Sequence, residues 1–205
     1  LLWKGWLYTL GLAGVSLALS AVIGATAALA ARGRLLTARV AVRFYVELVR
    51  GTPFLVPILV LFYVVAPAIG LGNRYVGGTL SLSLFAGAYI TEILRAGIES
   101  VGSSQWESAR SLGLSQAQIY RLVVFPQALR VSLPPLAGQF VSLVKDSSLL
   151  SVIGIGEFAL NAQQVNALAY GTLEGYLPLA AGYLVLTLPI SLWARRLERR
   201  VHHDS

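Results

Sequence analysis

Residues Trp6 to Ala31 read WLYTLGLAGVSLALSAVIGATAALAA, 26 positions without a single Asp, Glu, Lys or Arg. In hydrocarbon every backbone N–H and C=O must be paired within the segment, so such a run folds as a helix. At ~1.5 Å per residue it reaches about 39 Å, enough to cross a ~30 Å bilayer core with tilt to spare. A cleaved signal peptide fits poorly. The apolar run is too long, and no cleavage site leads into a soluble domain. The whole chain agrees with this stretch. Of 205 residues 56% are hydrophobic and 12% charged, about half the usual charged share. Mean hydropathy is +0.71. A water-soluble core of this size needs more polar cover, and a disordered chain needs far fewer apolar residues. The absence of cysteine excludes disulfide scaffolds and thiolate metal sites. Both histidines stand at positions 202 and 203, which leaves no histidine-based triad within the chain. There is also no methionine, so residues upstream of Leu1 are expected.

Working outward, four more apolar stretches follow, at about 54–71, 75–94, 131–155 and 176–194. Glu92 interrupts the third, and Lys145 with Asp146 interrupts the fourth. The predicted fold is all-α and integral to the membrane, a single domain over 1–205 with five spans. Arg32, Arg34, Arg39, Arg43 and Arg50 fall between spans one and two. Arg95, Arg110, Arg121 and Arg130 fall between three and four, and Arg195, Arg196, Arg199 and Arg200 follow span five. Thirteen of the 16 basic residues thus share one side. The positive-inside rule places the N-terminus outside and the C-terminus in the cytoplasm. It also accounts for the net charge of +7. The arginines are dispersed over short loops rather than gathered on one aromatic-studded face, so nucleic acid is not expected as a partner. Ser16, Ser20, Gly24 and Ala28 form a small-residue stripe on the first span, suited to close packing within the chain or against a partner subunit.

The cytoplasmic connection at about 100–126 is more than a connector. Residues 101–128 read VGSSQWESARSLGLSQAQIYRLVVFPQA. Ser104 with Glu107 and Ser115 with Gln118 have capping-box spacing. Gly113 suits the left-handed position that closes a helix. Pro126 is expected to end the second helix near Val124. Two short helices meeting at an angle result, with Leu112, Leu114, Ile119, Leu122 and Val123 as an apolar side. That side is suited either to a soluble partner or to folding back on the chain's own spans.

The same residues resemble the EAA loop of ATP-binding cassette importer permeases: Glu-Ala-Ala, three residues, Gly, nine residues, Ile-x-Leu-Pro. Here Glu107, Ala109, Gly113 and Pro126 match, while Ser108, Val123 and Phe125 depart from the pattern. Tyr45–Pro53 resembles the ELxRGTP stretch of the polar amino-acid permeases, of the histidine/glutamine/arginine type. Gly87–Ile98 resembles their GAYxxEIxRGGI segment, with Ala96 for Gly. Pro126-Gln127-Ala128, Leu133-Pro134-Pro135 and Lys145–Leu149 resemble their PQA, LPP and KDTSL series, with Ser147 for Thr. The resemblance implies a permease subunit in the bacterial plasma (inner) membrane. Two such chains, alike or related, would form the pathway for a polar amino acid. An external binding protein would deliver it, and a separate ATPase subunit would supply ATP and Mg. It further implies an ATPase-coupling set of Glu107, Ala109, Arg110, Gly113, Leu114 and Pro126. No Walker-type loop is present, so no cofactor is expected in this chain and it is not expected to be an enzyme.

Charges within spans are costly and point to a cavity or a partner. Lys145 and Asp146 complement the two charges of an amino acid, or else form a structural pair or helix break. The resemblance places this segment, with Ser148, near the substrate path. Glu92 either bridges to Arg95 one turn on or meets a substrate ammonium. Gln163, Gln164 and Asn166 sit in the external connection, as a solvated linker or a binding-protein contact. A secondary transporter would be expected to carry inverted repeats, and a membrane enzyme a cluster of catalytic side chains. Neither is found.

Overall fold

The computed structural model describes residues 2–33, 35–169 and 172–203. Arg34 lies outside the described residues, as does the side chain of Arg200. Apolar, unbroken sequence gives α1, Leu2–Arg32, and a shorter, arginine-bearing helix follows, α2, Leu36–Arg50. Next come α3, Leu55–Val60, a π turn at Leu61–Val65 and α4, Ala66–Ala68. They are followed by α5, Arg74–Glu99, α6, Ser103–Ser111, and α7, Gln116–Ile119. A second π turn, Tyr120–Val124, leads into α8, Phe125–Asp146. A 3₁₀ turn at Ser147–Ile153, α9 (Phe158–Ala169) and α10 (Thr172–His203) complete the chain. There is no strand among the described residues.

The small-residue stripe of α1 packs within the chain. Ser16, Ser20, Gly24 and Ala28 are all buried. The Ser16 hydroxyl donates to the Thr79 carbonyl at 3.4 Å. A Cβ on Gly24 would collide with Ile90 of α5, and one on Gly87 would lie 2.7 Å from Ile23 of α1. Each helix therefore seats its isoleucine on the other's glycine. The Tyr8–Tyr75 ring contact fixes the near end of the same pair. Residues 8, 16 and 23 meet 75, 79 and 87, so α1 and α5 run parallel. The chain between them must return from one end of this pair to the other. α8 runs antiparallel to α5. Gly97 approaches Ala128 and Ser132, and Gly78 approaches Leu150 and Ile155.

The second predicted span needs correction. Only Leu55–Ala68 is helical there, about 21 Å at the α-helical rise and short of a full crossing. The arginine-bearing stretch before it is a helix, α2, bent 109° from α3–α4. Four helices among the described residues are long and apolar enough to cross a bilayer, and a fifth crossing results if the bent pair is taken as one.

The fourth predicted span, about 131–155, falls largely in a longer helical run, Gln116–Ile153, which is α-helical up to Asp146 and 3₁₀ beyond it. Pro126 does not end a helix. The Phe125 N–H bonds the Tyr120 carbonyl in a widened turn. That turn makes room for a residue that has no N–H and crowds the carbonyl four positions back. Pro67 follows the first π turn in the same relation, after the Ala66 N–H to Leu61 carbonyl bond.

Candidate functional site

At the C-terminal end of α5 a small core assembles outside the main one. Val101, Ala109, Ile119, Val124 and Ala128 are buried, with Trp106 and Tyr120 packed against them. The two rings meet edge to face at 5.0 Å, a favoured aromatic geometry. Arg32 Nε donates to the Tyr120 hydroxyl at 3.3 Å and ties this unit to the end of α1.

α6 starts at Gly102 without a side-chain cap, so the expected Ser104–Glu107 capping box does not form. Its other end is closed by Gly113, at φ +77°. The Gly113 N–H bonds the Arg110 carbonyl at 2.9 Å and the Leu114 N–H bonds the Ala109 carbonyl at 3.3 Å. This two-bond closure requires a left-handed residue. The Ser115–Gln118 box does form: the Ser115 N–H donates to Gln118 Oε1 at 2.8 Å, and the Gln118 N–H donates to Ser115 Oγ at 3.4 Å. The result is a stiff corner between α6 and α7. Ala109 is buried and Leu114 half-buried within it, while Glu107, Arg110 and Pro126 are exposed. Leu112, at the tip, is 80% exposed. Leu112 thus leaves an exposed apolar tip on a unit that has its own small core.

The charged residues of the spans do not gather in one place. Glu92 accepts from Arg95 Nε at 2.9 Å and lies 3.6 Å from Arg50. The local bridge expected from sequence is therefore present. Lys145 and Asp146 end α8, the first exposed and the second half-buried, and Ser148 is half-buried in the 3₁₀ turn beyond. Ser132 bonds the Ile93 carbonyl beside Glu92, and Lys145 is about 20 Å further along α8 by helical rise. Among the described residues neither Lys145 nor Asp146 enters a salt bridge.

One residue escaped the sequence reading. Glu157, fully buried, accepts at Oε2 from Thr9 Oγ1 (3.3 Å), the Tyr183 hydroxyl (2.9 Å) and the Ala159 N–H (2.8 Å), and at Oε1 from the Leu160 N–H (2.9 Å). Burial pushes its carboxyl up, against the pull of these donors. It caps α9 and pins α9 to α1 and α10. A Glu just before a helical run was the local signal; its distant partners left none. Gln163, Gln164 and Asn166, expected in a linker, lie on α9.

Residues 3–203 match the family of binding-protein-dependent transport system inner membrane components. The chain belongs to this family. Within it, the amino-acid ABC permeases are similar throughout. The probable glutamine ABC transporter permease GlnM of Bacillus subtilis (strain 168) is 38% identical over 158 residues, covering 77% of this chain and 73% of the relative. The glutamine transport system permease GlnP of Escherichia coli (strain K12) is 35% identical over 199 residues, 96% and 88% of the two chains. The crystal structure of an amino acid ABC transporter with histidines superposes with a TM-score of 0.89 at 33% identity, covering 96% of this chain and 92% of that one. This permease is thus the membrane component of an amino-acid ABC importer, a transport subunit and not an enzyme.

Proposed function

We propose that the permease carries a polar amino acid across the bacterial plasma membrane. A second permease chain completes the pathway, an external binding protein delivers the ligand, and an ATPase subunit holding ATP and Mg docks on the α6–α7 corner. The observation that carries this reading is the corner itself, with its left-handed Gly113, its own core and the exposed Glu107, Arg110 and Leu112. We infer five crossings with the N-terminus outside. The parallel run of α1 and α5 supports an intervening return through α2–α4. Arg32, Arg110 and Arg121 at the corner support a cytoplasmic face there.

Lys145, Asp146 and Ser148 are the proposed substrate contacts: an ammonium, a carboxylate and a hydroxyl at one helix end, matched to a zwitterion. Glu92, held by Arg95 and Arg50, serves as a brace and not a ligand group.

Purification of the tagged chain from its native membrane in mild detergent tests the assembly. A stoichiometric ATPase subunit should co-purify, and vesicles holding the complex, binding protein and a labelled polar amino acid should accumulate label only with ATP. Recovery of the chain alone, with ATP-independent flux, would overturn the proposal.

A further inference from the structure

Where the inner ends of α1 and α5 meet the start of α8, a pocket of about 570 Å³ opens. Its walls are apolar: Leu29 of α1, Ile98 of α5, and Val124 and Phe125 where the chain enters α8. Arg32 and Arg121 stand in the lining, and no acid does. Other arginines of this face are neutralised, Arg43 by Glu47, Arg50 by Glu92, and Arg95 by Glu92 and Glu99. Arg39 is engaged as well, its Nε donating to the Gly33 carbonyl at 2.8 Å. The two pocket arginines differ from these. Arg32 donates from Nε to the Tyr120 hydroxyl. Arg121 enters no hydrogen bond or salt bridge among the described residues. A guanidinium has five N–H donors in a planar fork, so the terminal groups of Arg32 and the whole fork of Arg121 stay open.

The apolar walls continue away from the arginines. Val22 lies two turns before Leu29, and Leu129 one turn after Phe125, each on the same helix face as its neighbour. α1 is parallel to α5 and α8 antiparallel to it, so both steps lead in one direction, into the bilayer. Leu29, Val22, Phe125 and Leu129 are 68, 63, 59 and 38% exposed. Arg32 stands where the uncharged run of α1 ends, the level at which a guanidinium meets lipid headgroups. Glu107, Arg110 and Leu112 of the α6–α7 corner do not line the pocket. A small soluble anion would use the arginines alone, and a hydrocarbon the walls alone. A molecule with an anionic head and apolar tails uses both.

We propose that this pocket binds an anionic phospholipid of the inner leaflet, its phosphate between Arg32 and Arg121 and its acyl chains along Leu29, Val22, Phe125 and Leu129. Basic pockets between membrane helices suit phosphate heads, and the guanidinium fork suits their paired oxygens. A zwitterionic head fits less well, because the lining holds no carboxylate to meet its ammonium. The bound lipid bridges the end of α1 to the base of the α6–α7 corner, beside the Arg32–Tyr120 contact. The inference goes beyond the transport reading and rests on it only for membrane insertion and for the inner face.

The permease, with whatever subunits co-purify, is placed in nanodiscs of phosphatidylcholine with a minority of phosphatidylglycerol, and lipids retained per chain are counted by native mass spectrometry. Phosphatidylglycerol should be retained in preference to phosphatidylcholine. Arg121→Gln should weaken that retention roughly fivefold, and the Arg32→Gln/Arg121→Gln double variant roughly thirtyfold. Arg121→Lys, a point charge in place of a fork, should keep part of it. Arg196→Gln, which removes a basic residue outside the lining, should keep all of it. Gel filtration and circular dichroism establish that each variant is folded. If the double variant misfolds, Arg121→Gln decides alone, since that side chain holds nothing else in place. Equal retention by wild type and Arg121→Gln, or no preference over phosphatidylcholine, would overturn the proposal. An equal loss in Arg196→Gln would also overturn it, by showing a diffuse surface charge. So would displacement of the lipid by millimolar glycerol phosphate or inorganic phosphate, which would assign the arginines to a soluble anion. None of these readouts requires transport or ATP hydrolysis, so a failed transport assay leaves the result standing.

Discussion

The α1–α5 seam and the small core at the end of α5 are built on opposite terms, although both stand beside one larger core. The larger draws residues from across the chain, from Leu12 to Leu186. The smaller draws only on the stretch from Ile98 to Ala128. In lipid, helices gain little from excluding water, so they associate by close approach, and small residues are what permit it. That is the grammar of α1 against α5, where Gly24 and Gly87 receive Ile90 and Ile23. The smaller core stands at the end of the spans and is held by bulky side chains, Ile119, Trp106 and Tyr120. There the ordinary hydrophobic effect applies. The expected consequence is an inverted sensitivity: the α1–α5 seam is hurt by adding atoms, the small core by removing them.

Four substitutions bear on that contrast. Ile119→Ala should have the largest effect, about 2–5 kcal/mol from lost burial and the cavity left behind. Hydrogen exchange should rise over residues 98–128 and stay unchanged in α1, and a uniform rise over both would erase the distinction. Gly24→Val should cost about 1–3 kcal/mol by overpacking, read as a lower midpoint in detergent-induced unfolding. An unshifted midpoint would mean that the α1–α5 seam is not close-packed.

Gly113→Val asks a β-branched residue to hold φ +77°, at roughly 1–2 kcal/mol. Here the expected readout is coupling: ATP-driven uptake falls while the spans stay folded. Normal uptake would sink the idea that the corner must be rigid. Smallest is Ser115→Ala, about 1 kcal/mol from the lost cap. It should show as faster exchange at Gln116–Gln118 and little else.

The sequence made the long apolar helices legible because an uninterrupted apolar run has one solution in lipid. α2 is less legible for the converse reason. Its arginines look like loop charges, although Leu36, Val40, Phe44 and Leu48 alternate with them at helical spacing, the pattern of an amphipathic helix. Pro126 reads as a stop because proline breaks an α ladder, and a π turn lets the helix continue around it. In the α6–α7 corner, Gly113 and the Ser115–Gln118 box are legible because both are local signals. The Ser104–Glu107 box has equally good spacing, but Gly102 starts the helix without it. The Glu157 cluster was out of reach, since Thr9 and Tyr183 are joined to it only by the finished fold.

The π turn at Tyr120–Val124 also sets a phase. Such a turn is an α-helix carrying one additional residue. Each residue advances a helix by ~100°, so the α6–α7 corner points in its direction only because that residue is there. Removing a single position from 120–124 should restore α spacing against Pro126, kink the helix there, and turn everything before it by about a quarter of a revolution. The corner would stay intact yet aim elsewhere, and ATP hydrolysis and uptake, measured together on the assembled importer, should fall out of step.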